Sequence, residues 1–396
     1  MPTTWWPQMK HWLVLPLCLL LGACATSPRA SRDDRLFSDQ LFSAPSQRVS
    51  AEDVFAVSHA MRQYLATDEN AHQMRTKGIQ QGLFDALYSK GQLQLEYSSE
   101  HTRNAAQTFA ARSGNCLSLV IMTAAFAKEL GLPVRYQSIL MDQAWSRNAD
   151  LYFASGHVNL TLGKRPSAIR TPLDQSRLMT IDFLPPEDTA GQRREEIEEN
   201  TVVAMYMNNQ AAEALSMHQL DDAYWWAREA IRQDANFLAS YNTLGVIYRR
   251  HGNLQEAEHT FRQVSEREPE NTVVMFNLIG VLNDLGKSAE SKLLAARLAQ
   301  LQPEAPFQAF SLGMAAMRAG DFKAAKMHFS REIARDPYYH EFQYWMGIAC
   351  LRLGDMEQAV KHLSIAMQNS STGNDHDLYA AKLDRVKSYR APLSVH

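Results

Sequence analysis

Cysteine is scarce in this chain. Four stand among 396 residues, Cys18, Cys24, Cys116 and Cys350, and no two form a Cys-x-x-Cys pair. That spacing argues against a thiol zinc site and against a disulfide framework. An excess of one charge is also lacking: 40 Lys and Arg face 43 Asp and Glu, a net charge of −3. No basic block stands out, so nucleic acid is not an expected partner. The apolar run near the N-terminus, residues 12–21, falls well short of a membrane span. Glycine is modest at 18 residues, whereas alanine, leucine and methionine are plentiful, and the balance leans towards helix. No cofactor and no metal is implied. The length exceeds one ordinary hydrophobic core, so two or three domains are expected.

What is present begins with residues 1–23. Lys10 and His11 precede the apolar run, and the stretch ends Leu21-Gly22-Ala23-Cys24. A charged start, an apolar middle and small residues at the end make a signal peptide. The ending resembles a bacterial lipobox, in which the cysteine is lipidated and becomes the first residue of the mature protein. The resemblance implies a membrane anchor at Cys24 in the cell envelope. Ala25 after it implies the periplasmic face of the outer membrane. Residues 24–48 are rich in Ser, Arg, Asp and Pro and read as a tether.

Arg112-Ser113-Gly114-Asn115-Cys116 is the stretch on which the middle of the chain turns. Asn115 is a good N-cap, and apolar residues follow Cys116 at helical spacing through Leu119, Val120, Ala124, Ala127 and Leu130. Gly131 ends that helix and Pro133 prevents its resumption. A thiol in the first turn sits at the positive end of the helix dipole, which favours the nucleophilic thiolate. The backbone N–H of Cys116 can face an oxyanion, and the Gln107 side chain is a second candidate donor. Arg112 reads as structural.

The surrounding pattern is helices first, then strands. A helix opening at Ser50 would carry Val54, Val57, Met61 and Tyr64 on one face, and a second helical stretch would cover 68–88, weakened at Gly78 and Gly82. Leu93, Leu95 and Tyr97 alternate as in a short strand, and 104–111 reads as a helix. Beyond the cysteine helix, 132–141 reads as a strand and 142–150 as a polar loop. Residues 155–162 alternate, with His157, Asn159 and Thr161 on one face, and 178–184 is a last strand stopped by Pro185-Pro186. That order predicts an α+β domain with an antiparallel sheet over 49–190.

A cysteine opening a helix, a histidine on a later strand and an aspartate on the next resemble the transglutaminase-like superfamily of papain-like cysteine enzymes. The resemblance covers about residues 90–190. It implies that Cys116 is the nucleophile, His157 the base and acid, and Asp182 the group that orients the imidazole. Asn159 and Asp188 are alternative orienters. It implies acyl chemistry at an amide of a polypeptide: hydrolysis, or transfer to an amine. A non-catalytic scaffold with a degenerate thiol domain is the competing reading.

From about residue 195 a period of 34 takes over. Gly252, Gly286, Gly320 and Gly354 recur at that offset, as do Ala223, Ala257, Ala325 and Ala359, and Pro269, Pro303 and Pro337. Gly245, Gly313 and Gly347 share a column with Ala211 and Ile279, and Phe261, Phe329 and Leu363 share another. These columns resemble the tetratricopeptide repeat and imply an all-α solenoid of about five repeats over 195–370 that binds a protein or peptide. The first repeat has His218 in place of the turn glycine, and the third is degenerate. Tyr379, Leu383 and Val386 lie on one face of a capping helix within 371–396. Cys350 belongs to the repeat core. The aromatics Tyr224, Trp225, Trp226, Tyr338, Tyr339, Phe342, Tyr344 and Trp345 suggest a docking surface, although aromatic stripes at helical spacing more often pack inside.

Overall fold

Ser58, Thr67, Asn104 and Asn115 each stand where extended backbone meets a helix, and each side chain accepts an N–H from the turn that follows. They start α1 (His59–Leu65), α2 (Asp68–Lys77) and, beyond α3 (Ile79–Tyr88), α4 (Ala105–Ala111) and α5 (Cys116–Glu129). The computed structural model describes residues 36–89, 93, 95–98, 101–140, 145–148, 151–154, 157–163, 178–183, 192–302, 307–337, 339–370 and 373–390. The segment read as a signal peptide, and Cys24, lie outside these. The chain divides into two units, 1–41 and 42–396. Among the described residues of the first is one 3₁₀ turn, Asp39–Leu41.

Two helix boundaries differ from expectation. Residues 51–55 form turns, and the helix expected from Ser50 starts at His59. The Val54 carbonyl is engaged elsewhere, accepting from Ala105 N at the start of α4. The stretch 68–88 is two helices, parted at Gly78, whose φ of 85° is open to glycine and strained for other residues.

Strands β1 (Glu96–Tyr97) and β2 (Ser113–Gly114) pair in parallel just ahead of α5. Then come β3 (Val134–Leu140), β4 (Trp145–Asn148), β5 (Leu151–Ala154), β6 (His157–Leu162), β7 (Met179–Ile181) and β8 (Arg193–Ile197). The main sheet has the order β7-β6-β3-β8 and is antiparallel throughout. β4, inside the region read as a polar loop, and β5 just beyond it form a separate hairpin, where Trp145, Tyr152 and Phe153 favour extended backbone. β8 is a second correction. Its sequence is charged and has no apolar alternation, so it reads as the start of the repeats, yet its backbone pairs with β3. A charged edge strand is held by its ladder and blunts the sheet against further pairing.

Helix α5 is the centre of this part. Every residue from Leu117 to Ala127 is buried. It packs against β6 and β3 on one side and α3 and α4 on the other, and the first repeat helix closes over it. A helix apolar all round requires such enclosure.

The repeats follow as helix pairs: α6 (Glu199–Ser216) with α7 (Leu220–Gln233), α8 (Leu238–His251) with α9 (Leu254–Arg267), and α10 (Thr272–Asp284) with α11 (Ser288–Leu301). Next come α12 (Gln308–Ala319) with α13 (Phe322–Arg335), α14 (His340–Arg352) with α15 (Met356–Gln368), and a last helix, α16 (Gly373–Arg390). Tyr379, Leu383 and Val386 of α16 are all buried, and Cys350 is in the core of the last pair. The glycine column is steric. A Cβ on Gly245 would stand 2.6 Å from the Phe261 ring, and one on Gly313 would stand 2.5 Å from Phe329. The third repeat exchanges the volumes, with Ile279 in the glycine column and Ala295 in the phenylalanine column.

The tether also ends earlier than its composition suggests. Phe42 stacks on Tyr224 with ring centroids 3.9 Å apart. Ser43 N donates to Asp221 Oδ1 at 2.8 Å, and Ser46 donates from both N and Oγ to the Asp222 carboxylate at 2.6 Å. The composition of 42–46 gives no sign of this, because its partners lie more than 170 residues away.

His218 takes the left-handed conformation, φ 61°, that glycine supplies at the same turn in later repeats. Its side chain is exposed, so the strain brings no packing in return. His218→Gly is expected to raise the unfolding free energy by about 1 kcal/mol, measured by urea denaturation.

Candidate thiol site

The register of two strands assembles the site. In the β6–β7 ladder Leu160 faces Ile181 and Thr161 faces Thr180. Continuing that register sets Asn159 across from Asp182, with His157 two residues further along the same face. The hydrogen bonds follow: Asp182 Oδ1 lies 2.5 Å from His157 Nε2, and Asp182 Oδ2 accepts from Asn159 Nδ2 at 2.8 Å. Thr161 and Thr180 hydroxyls meet at 3.0 Å on the same face. The carboxylate is thus gripped from both sides. Asn159, one of the alternative orienters, holds the aspartate and not the imidazole. Asp188 lies outside the described residues.

The third partner arrives from α5. The Cys116 thiol stands close enough to the His157 ring to raise its pKa. Nε2 is occupied by Asp182, which leaves Nδ1 for the sulfur. The sulfur can stand there because of a tight approach. Arg112 caps α4 in the left-handed region (φ 52°), as a structural residue, and turns the chain into β2. Gly114 then passes so close to the helix that a Cβ on it would stand 2.7 Å from Ser118 Cβ. Asn115 completes the start: its Oδ1 accepts from Ser118 N at 2.9 Å and from Ser118 Oγ at 2.8 Å. Cys116 is half-buried at the N-terminus of the helix.

The Gln107 side chain is used elsewhere. Its Oε1 accepts from Asn104 N at 3.1 Å and closes a capping box on α4. The Asn-x-x-Gln spacing already encodes this cap, which engages the acceptor end of the amide. Tyr97 stands near the sulfur, brought there by the β1–β2 pairing that sets it beside Gly114. Desolvation of its hydroxyl, and secondly the charge at Cys116, push its pKa up. The residue as a whole is 55 % exposed. Nothing in its local sequence marks Tyr97 for this place.

Burial of His157, only 4 % exposed, would by itself depress its pKa. The hydrogen bonds to Asp182 and Cys116, with the negative charge on each, outweigh burial and raise it to about 9. The site therefore favours the imidazolium form of His157 beside the Asp182 carboxylate. Among the described residues no cluster of His, Cys, Asp or Glu could hold a metal.

Of the repeat aromatics, Tyr224, Trp226 and Phe342 are buried, Tyr339, Tyr344 and Trp345 are half-buried against the core of the last repeats, and Trp225 Nε1 donates to the Ser43 carbonyl at 2.6 Å. Tyr338 lies outside the described residues. The Tetratricopeptide repeat family matches residues 242–306 and 310–374. The C-terminal part of the chain is built of tetratricopeptide repeats. Among solved structures it is similar to YrrB, "a TPR protein with an unusual peptide-binding site", at 22 % identity. That match covers 46 % of this chain and 92 % of that one, with a TM-score of 0.25. It is similar to TTC0263, a thermophilic TPR protein of Thermus thermophilus, at 13 % identity over 46 % and 98 % of the two chains, TM-score 0.28. It is also similar to MamA of Desulfovibrio magneticus RS-1, at 16 % identity over 43 % and 96 %, TM-score 0.26. A comparison with curated proteins gives no match. Tetratricopeptide repeats serve protein interaction, which makes a protein or peptide the partner of this half of the chain.

We expect the His157 ring, followed by NMR, to titrate near 9 and not near 6.5, and to titrate lower in Asp182→Asn. A folded pKa above the unfolded one stabilises fully below about 6.5, and that stability is lost as pH rises through about 9. Unfolding free energy should fall across that window in the wild type and less in His157→Gln.

Proposed function

We propose that the repeats bind a polypeptide and that Cys116, His157 and Asp182 form a transglutaminase-like thiol site acting on its amide bonds, in a lipid-anchored envelope protein. The observation that carries the thiol reading is the His157–Asp182 hydrogen bond beside a half-buried cysteine at a helix N-terminus. The Cys116 thiolate attacks the amide carbonyl carbon, and the oxygen that gains charge faces the Cys116 N–H. The His157 imidazolium gives its proton to the leaving nitrogen as the C–N bond breaks, leaving a thioester. Water or an amine then gives a proton to His157 and bonds to the acyl carbon. The thiolate leaves and the ion pair is restored. Asp182 holds the ring and its charge throughout.

A second reading, a scaffold without turnover, is favoured by the family match, which covers the repeats and none of the thiol part. Alkylation separates the two. Cys116 should react with iodoacetamide faster than in His157→Ala, by on the order of tenfold. Equal rates would leave the scaffold reading standing. In a strain lacking the protein, a Cys116→Ser copy should fail to restore function on the thiol reading and should restore it on the scaffold reading. The anchor rests on Leu21-Gly22-Ala23-Cys24. In a Gram-negative host, metabolically supplied labelled palmitate should enter the protein and the outer-membrane fraction, and Cys24→Ala should abolish both.

A further inference from the structure

Between the two functional halves lies one buried residue that neither half explains. Thr102, 5 % exposed, sits in the segment ahead of α4 and is held at every polar atom. Its N donates to Glu213 Oε1 at 2.7 Å, and its carbonyl accepts from Gln210 Nε2 at 2.7 Å. Its hydroxyl oxygen accepts twice: from Asn209 Nδ2 at 3.1 Å and from Asn115 Nδ2 at 2.9 Å. Asn209, Gln210 and Glu213 all belong to α6, the first repeat helix, and Asn115 is the N-cap that starts the cysteine helix. The neighbouring residues repeat the arrangement. His101 pairs with Glu213, and Arg103 N donates to Ser118 Oγ at 2.8 Å.

The Asn115 amide has one orientation that works as a cap. Its oxygen must face Ser118 N, so its NH₂ group must point the other way and needs an acceptor there. The Thr102 hydroxyl is that acceptor, and α6 fixes the hydroxyl. Cys116 is the next residue in the chain. The position of the sulfur against His157 therefore depends on a helix of the repeats.

We propose that Thr102 is a positioning residue for the Cys116 thiol, and that the α6 side chains Asn209, Gln210 and Glu213 act through it, so that the first repeat is part of the thiol site. The inference rests on the thiol reading above and adds to it the group that holds the nucleophile in register. It also assigns to polar residues of α6 a task that repeat packing does not need. Their bonds reach outward to the thiol half, whereas the apolar residues Val203, Met207, Ala211 and Leu215 fill the core.

The experiment is alkylation of the full chain by iodoacetamide, with melting temperature followed in parallel. Thr102→Val keeps the shape and the two backbone hydrogen bonds but removes the hydroxyl. It should slow Cys116 alkylation by roughly tenfold, the scale of a displaced reactive group, while the melting temperature stays close to that of the wild type. Thr102→Ser, which restores the hydroxyl, should restore the rate. Asn209→Ala, on α6 and away from the cysteine helix, should slow alkylation in the same direction without unfolding the site. Wild-type rates in both Thr102→Val and Asn209→Ala would overturn the proposal and leave the thiol reading intact. A wild-type rate no faster than that of His157→Ala would instead overturn the thiol reading, and the positioning role with it. If Thr102→Val melts early, Asn209→Ala decides alone: a slowed rate in a folded protein supports the role, and an unchanged rate rejects it.

Discussion

A helix with no polar side has to be enclosed, and much of this chain is arranged to do that for α5. From Leu117 to Ala127 it offers no residue to solvent. The sheet takes one face, α3 and α4 another, and α6 of the repeats a third. Burying eleven consecutive residues also decides where chemistry can occur. The ends of such a helix are the places where polar groups can stand, and the N-terminal end carries the unpaired N–H groups. Cys116 is at that end, half-buried, with Asn115 taking one N–H and the strand histidine meeting the sulfur.

The electrostatics around the sulfur form a chain of support. A buried imidazole alone would be neutral. Asp182 stabilises its charged form, and Asn159 steadies Asp182 by donating to its second oxygen. Among the described residues the buried side-chain oxygen Oδ1 of Asn159 has no hydrogen-bond partner, and the amide presents its NH₂ group to Asp182. In the repeats the matching constraint is one of volume. Glycine is placed where a phenylalanine ring from the second helix arrives, and isoleucine where that ring has become alanine. With Ser291 and Ala295 at its packing positions, α11 inserts little into the solenoid, and Leu293 is left 75 % exposed.

Legibility differs between the halves for a physical reason. The repeats are a local code: each helix pair meets its neighbours about 34 residues away, so the columns of Gly252, Ala257 and Phe261 are visible as a period. The thiol part is held by distant pairings. The alternation of His157, Asn159 and Thr161 marks one face of a strand, but it does not say which strand lies beside it. The charged run 193–197 carries no pattern of a strand because its place in the sheet comes from backbone bonds to β3. The first turn of α4 is legible in the opposite way, because its Asn104–Gln107 spacing is a local cap that needs no distant partner.

By itself, then, the amino-acid order determined the helix caps at Asn104 and Asn115, the end of α5 at Gly131, the solenoid and the glycine turns, since each depends on neighbours within one helical turn or one repeat. Tertiary structure decided which oxygen of Asp182 meets His157, that Asn159 holds the other, that Phe42 lies on Tyr224, and that Thr102 joins α6 to the start of α5. Those contacts join residues from 13 to more than 180 positions apart, and only the packing of buried faces brings such partners together.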